Sequence, residues 1–416
     1  MTPNDNIAPE QLYAERVKRI KDVVALRTPD QVPVFGPYQL FPYLYSGVTF
    51  KQAMNDYAAA RRACRKFADD FQPDADFGPI LAYPAKPMET LGLKWFKWPG
   101  HGLGDNTIYQ FVEGEYMTAD EYDEFIYDPS DFMLTKWVPR SFAGLEAFAS
   151  FPTQRRMMWS GWMGLGAFAS EEMQESFRIA VEAGKQVNEW WASIGEYNAD
   201  TVARGFPVAY AAFDWPPFDI IGDTLRGTRG ILADMRRHPD KLLQTMEIAT
   251  KIFVEYGSGA AGADLPLCWI WVHKGTRNFM SDEQFNTFYW PFLREGIVAL
   301  IDKGIIPMVY WEADIESRLE HIVDIPKGKA IYHIAQTDIA KAKAVLGDTV
   351  CLMGNVPNST LLTGTPDDVK AYCKMAIDVA GKDGGFIMDA AVMLDEAKPE
   401  NVKAMFDFTR EYGVYR

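Results

Sequence analysis

The sequence predicts an α/β protein, a (β/α)8 TIM barrel with an irregular insertion at its mouth. Two observations lead there. In the second half of the chain, six apolar runs alternate strictly with helical patterns, the signature of a parallel sheet. Two further apolar runs near the amino terminus bring the count to eight, the number that closes a barrel. An open doubly wound sheet is the lesser alternative.

Taken in order, VPVF (32–35) is the first expected strand and the helical stretch TFKQAMNDYAAARRACRKFADDF follows it. GPILAYP (78–84) is the second. Between the second and third strands, about 85–160, lies a segment rich in Trp, Gly, Tyr and acids, which reads as an elaborate insertion over one barrel mouth. Thr118 and Glu121 predict a capped short helix within it. The remaining strands are PVAYAAF (207–213), LPLCWIWV (265–272), IPMVYWE (306–312), KAIYHI (329–334), VCLMGNV (350–356) and GGFIMDAA (384–391). Some intervening helices carry start signals: Ser281 with Gln284 forms a capping box, and Thr365 with Asp368 does the same with Pro366 at the first helical position. The whole chain, 1–416, is expected to be one barrel domain carrying that insertion.

Composition narrows the function. A chain of 416 residues, 48% hydrophobic and 24% charged, can bury a large core. Its net charge of −15 opposes a nucleic-acid backbone or an anionic membrane as main partner. No apolar run is long enough to span a bilayer and MTPNDNIAPEQLYAERVKRIKDV lacks the apolar core of a signal peptide, so a cytoplasmic protein is expected. Cys64, Cys268, Cys351 and Cys373 sit in apolar or helical stretches without CxxC spacing, which suits reduced, buried thiols. Aromatic content of 14%, with 12 Trp, supplies core volume and the walls of pockets for flat ligands.

The carboxyl ends of parallel barrel strands face the active site. Glu312 directly follows the apolar run Met308 to Trp311, so its carboxylate is expected to look into a pocket rather than cap the next helix. His273, just after LPLCWIWV, and Asp389, near the end of the last strand, should reach the same mouth. Tyr310 shares the strand of Glu312. His333 in KAIYHI faces either mouth or interior, and Asn355 in the Gly-Asn-Val turn orders its loop or meets a ligand. Of the other histidines, His101 lies on the insertion, and His238 and His321 lie on helical stretches.

The stretches ERVKRIKDVVALRTPDQVPVF, LRGTRGILADMRRHPDKLLQTM, CLMGNVPNSTLLTGTPDDVKAY and GGFIMDAAVMLDEAKPENVKAMFDFTREYG resemble the uroporphyrinogen decarboxylase superfamily. That superfamily includes corrinoid-dependent methyltransferases of one-carbon metabolism. The resemblance implies a (β/α)8 barrel with its site at the carboxyl ends of the strands. A decarboxylase of polyacidic porphyrinogens would carry an arginine-bearing RQAGRY-like loop after the first strand; here Gly36 to Gly47 reads GPYQLFPYLYSG, with four aromatic rings and no arginine. The superfamily's thiol methyltransferases hold zinc through a His-x-Cys and a further Cys. Those positions fall here on Tyr310, on Glu312 and near Ala391 or Val392, so that zinc site is absent. His273, Glu312 and Asp389 are acceptable replacement ligands, which makes zinc a candidate metal.

The expected function is a methyltransferase moving a methyl group from a small methylated donor, an aromatic methyl ether, to the cobalt of a corrinoid (cobalamin) on a separate corrinoid-binding protein. The chain itself has no Asp-x-His-x-x-Gly sequence for binding that cofactor. An ether oxygen leaves poorly unless a proton or Lewis acid meets its developing charge, and Glu312, His273 and Tyr310 are the groups expected to supply that help. Tyr38, Phe41, Tyr43, Trp215 and Trp311, with His333 and Asn355, are the expected substrate contacts. A decarboxylase acting on a smaller acid and a non-catalytic corrinoid- or partner-binding barrel are the alternatives.

Overall fold

The computed structural model describes residues 7–157 and 161–415. In chain order the strands are β1 (Phe96–Pro99), β2 (Gly102–Leu103), β3 (Gln110–Phe111), β4 (Ala212–Asp214), β5 (Leu267–Val272), β6 (Ile306–Trp311), β7 (Ile331–Ile334), β8 (Cys351–Val356) and β9 (Phe386–Ala390). β4 to β9 form one parallel sheet in sequence order. Two short extended segments complete the ring as its first and second members. Val34 bridges Met388 of β9 in parallel, with Phe35 N donating to Met388 O at 3.1 Å. Asp74 N donates to Val34 O at 2.9 Å, and Asp76 bridges Val208 just before β4. The (β/α)8 architecture read from the sequence is therefore the one formed.

The second strand is a correction. The run 78–84 does not extend: Gly78 to Leu81 is a 3-10 turn, begun by Gly78 at φ +65° and followed by Pro79, which has no N–H for a ladder. Its place in the ring is taken by 74–76, where two aspartates conceal the strand because Asp is depleted in strands. Both are buried and satisfied. Asp74 ion-pairs with Arg19 and accepts from Val34 N at 2.8 Å; Asp76 accepts from Tyr197 at 2.6 Å and Tyr38 at 3.1 Å.

Elsewhere the local signals hold. The capping boxes at Thr118, Ser281 and Thr365 are all present. All four cysteines are buried and free. The helix Glu171–Ala203, capped by Ser170, returns the chain from the insertion to β4. Within the insertion β1, β2 and β3 make a small sheet, and Phe111 of β3, with Ile108 and Tyr109 just before that strand, faces the barrel mouth. Residues 158–160, at the end of the expected insertion, lie outside the described residues. No helix among the described residues is long and apolar enough to cross a membrane.

Candidate active site

The alternation of side chains along neighbouring parallel strands builds the site. Trp271 of β5 is in register with Tyr310 of β6, and Tyr310 with His333 of β7, so these three rings point inward together. Two residues further on, beyond the last rungs, His273 and Glu312 must also point inward and lie side by side. They do: His273 Nε2 is 3.8 Å from Glu312 Oε1. With Tyr310 they line a cavity of about 440 Å³ at the carboxyl ends of the strands. Tyr83, Tyr109, Phe111, Trp215 and Trp271 supply its aromatic walls, and Gln39 and Asp395 are its remaining polar groups. No lysine or arginine is among the described lining residues.

Beneath His273 lies a network that orients it. Nδ1–H donates to Asp223 Oδ2 at 2.7 Å, which leaves Nε2 for the cavity. Asp223 also ion-pairs with the buried Lys274 ammonium. Asp219, one helical turn before Asp223, accepts from the backbone N–H of His273 (2.9 Å) and of Lys274 (3.0 Å) and from the Tyr289 hydroxyl (2.7 Å). Burial alone would lower the imidazole pKa. The hydrogen bond to Asp223 and the charges of Asp219, Glu312 and Asp223 outweigh burial and raise it to about 9. His273 is thus an imidazolium at neutral pH. For Glu312 the cavity walls push the carboxyl pKa up, the imidazolium pulls it down, and Asp219 and Asp223 push it further up; the net direction is upward.

Residues 209–412 match the family model described as uroporphyrinogen decarboxylase (URO-D). In that segment, just under half of the chain, the sequence is similar to that family. It is 30% identical over 161 residues to the uroporphyrinogen decarboxylase of Chlorobium phaeovibrioides, covering 36% of this chain and 43% of that relative. With the enzyme of Chlorobium luteolum it shares 26% over 189 residues, 42% of this chain and 51% of the relative. The chain thus spans about half the length of the curated relatives it matches. Among solved structures, a methyltransferase from Methanosarcina mazei superposes with a TM-score of 0.61 over 95% of this chain and 98% of that one, at 16% identity. That likeness shows the TIM-barrel fold.

Most of the barrel's inward residues were visible from the sequence, but their depth was not. His273, Glu312 and Tyr310 meet in the cavity, and Trp215 joins them. Trp311 does not: one residue from Tyr310 on the same strand, it points outward, fully buried against Tyr332. Tyr38, Phe41 and Tyr43 do not line the cavity either. They are core residues, with Tyr38 and Phe41 packed on Phe67 and Tyr43 on Phe50. Asn355 is committed to Thr337 O (2.9 Å) and the Tyr372 hydroxyl (2.9 Å).

His333 and Asp389 sit one layer below the cavity, inside the barrel and fully buried. His333 stacks on Tyr310 at 4.6 Å and donates from Nε2 to Ala390 O at 2.9 Å. Asp389 Oδ2 is 3.6 Å from that same nitrogen. The expected ligand trio of His273, Glu312 and Asp389 is therefore not assembled. Among the described residues no group of three His, Cys, Asp or Glu is placed to hold a metal ion. The donor set present does not fit a zinc centre, which ordinarily takes at least three protein ligands.

The supporting groups missed in the sequence are Asp219, Asp223, Lys274 and Tyr289, together with Gln39, Tyr83, Tyr109 and Asp395 in the walls. One signal was available for the first pair. PPFDIIGD places two acids four residues apart, on one face of a helical turn, in an otherwise apolar segment directly after a barrel strand.

Proposed function

We propose that the protein transfers a methyl group from a small aromatic methyl ether to the cobalt of a corrinoid carried by a separate protein, acting as one barrel domain with the 85–160 insertion over its mouth. The observation that carries this reading is His273, held through Nδ1 by Asp223 with Nε2 3.8 Å from Glu312, on one wall of an aromatic cavity free of lysine and arginine among its described residues. The corrinoid, as second substrate, would supply the nucleophilic electron pair for the methyl carbon. As the C–O bond breaks, its electrons pass to the ether oxygen, and His273 donates its Nε2 proton there. Asp223 holds the ring so that Nε2 faces the substrate and stabilises its positive form. Glu312 flanks the same nitrogen and orients the imidazolium before the proton leaves. Tyr310 and the tryptophans hold the aromatic ring flat, which keeps the methyl group aimed at the mouth.

The competing reading, decarboxylation, is favoured by the names of the curated relatives. Against it stands the cavity's lack of guanidinium or ammonium groups to pair with a polycarboxylate. The two readings separate in one experiment. Incubation with methylated aromatic donors and reduced corrinoid protein should change the corrinoid absorbance to that of the methylated form, while uroporphyrinogen should be recovered unchanged. Formation of coproporphyrinogen at a catalytic rate, with no methylation, would replace the proposal by the decarboxylase.

A further inference from the structure

The two ends of the cavity are chemically different. His273 and Glu312 follow β5 and β6, the fourth and fifth members of the ring. Asp395 follows β9, the eighth, and Gln39 follows the first segment, so both stand across the mouth from the proton donor. Asp395 is held by one oxygen, which accepts from Leu40 N at 3.0 Å. Its other oxygen has no hydrogen-bond partner among the described residues. Gln39 donates one amide N–H to the Tyr109 hydroxyl at 3.3 Å, and its carbonyl oxygen has no partner among the described residues. The far wall therefore offers two acceptor oxygens, one of them on the Asp395 carboxyl group, against a single spare amide N–H. Burial raises the Asp395 pKa to about 6, so the group is a carboxylate at neutral pH.

We infer that Asp395 and Gln39 select the donor: a methoxyarene bearing a hydrogen-bond donor, such as a hydroxyl, on the ring edge away from the ether, and bearing no carboxylate. An acceptor pair left unmatched by a plain ring stays desolvated without a partner, which disfavours that ligand. A ring carboxylate would meet Asp395 and Glu312 with only His273 to offset it. This inference rests on the methyl-ether reading and names the substrate class within it.

Calorimetric titration of the full chain with methoxybenzene, 3-methoxyphenol, 4-methoxyphenol and 4-methoxybenzoate tests it without needing turnover. The better of the two methoxyphenols should bind about tenfold tighter than methoxybenzene, the scale of one hydrogen bond to a charged group. The benzoate should bind more weakly than either phenol. Asp395→Asn, which keeps the bond from Leu40 N, and Gln39→Leu should each shrink the ratio of phenol to methoxybenzene affinity. Equal affinity for phenol and methoxybenzene, or tightest binding by the benzoate, overturns the inference alone. A preference that survives in both variants also overturns it. Failure of every methoxyarene to bind overturns the methyl-ether reading beneath it.

Discussion

Two histidine–carboxylate pairs lie within the same barrel, and they have opposite chemistry. At the mouth, His273 bonds to Asp223, faces Glu312 and has its pKa raised to about 9. One layer below, His333 and Asp389 are completely enclosed. Burial lowers the imidazole pKa to about 4, only partly offset by the bond to Ala390 O, and burial pushes the Asp389 carboxyl well above its ordinary value. The inner imidazole is thus neutral, and its carboxyl neighbour is pushed toward the neutral form. The residue types match, so the difference comes from the number of charges around each ring and from access to solvent. Several carboxylates around a partly exposed imidazole outweigh its desolvation, whereas a single carboxyl sealed in the core is itself pushed toward its neutral form. The teaching is that a histidine near an acid becomes a proton donor only where the acid can stay ionised.

Removing the outer pair should produce the largest effect. His273→Ala and Glu312→Gln are each expected to slow methyl transfer by about 10²-fold or more, and the double variant should be hardly slower than the worse single one, because the two groups act on one proton. Stopped-flow corrinoid absorbance measures this. Near-normal transfer by Glu312→Gln with lost stability would make the carboxylate structural and move the active site elsewhere.

The inner pair should instead appear in stability. A folded-state pKa lowered to about 4 means that the unfolded chain binds more protons between that pH and the ordinary imidazole value of 6.5, so His333 contributes stability above 6.5 that is lost as pH falls through 4. That contribution amounts to up to about 3 kcal/mol. Asp389, raised rather than lowered, acts in the opposite direction as pH climbs above the ordinary carboxyl range. Urea unfolding at pH 4.5 and 7 should therefore show a smaller pH dependence in His333→Gln than in the wild type. An unchanged slope would mean that the inner ring is not sealed.

Asp223→Asn sharpens the outer half of the comparison. It removes the largest favourable contribution to the His273 imidazolium, so the alkaline limb of the pH–rate profile, near 9 in the wild type, should move toward 6.5. Each unit of that displacement lowers the rate on the limb by about tenfold. A limb that stays in place would assign it to another group.

The smallest effect is the stability linked to His273 itself. Its raised pKa contributes stability that is fully present below 6.5 and fades as pH rises through 9. Partial exposure of the ring limits it to about 1 kcal/mol. Thermal melts of the wild type and His273→Ala at pH 6 and 9.5 should converge by that amount at the higher pH.

The strand-end rule made Glu312, His273 and Tyr310 legible, because any inward residue just past a parallel barrel strand must reach the mouth. The same rule misplaced Asp389, whose strand continues to Ala390 and holds it below the rim. Tyr38, Phe41 and Tyr43 of the aromatic loop 36–47 suit a ring-binding wall and a core equally, because hydrophobicity is the same currency in both. Tyr38, Phe41 and Tyr43 went to the core, while Tyr83 and Tyr109, on less conspicuous stretches, became the walls.

From its order of apolar runs and caps, the sequence by itself determined a parallel eightfold barrel and which residues stand at most strand ends. Those properties are local: a run of side chains, a cap and a period decide them within a few residues. Only the tertiary structure decided that Asp223 would reach across 50 residues to hold His273, that Asp389 would pair with His333 instead, and that 74–76 would complete the ring. Charge states and register depend on distances between elements far apart in the chain, and those distances exist only once the barrel has closed.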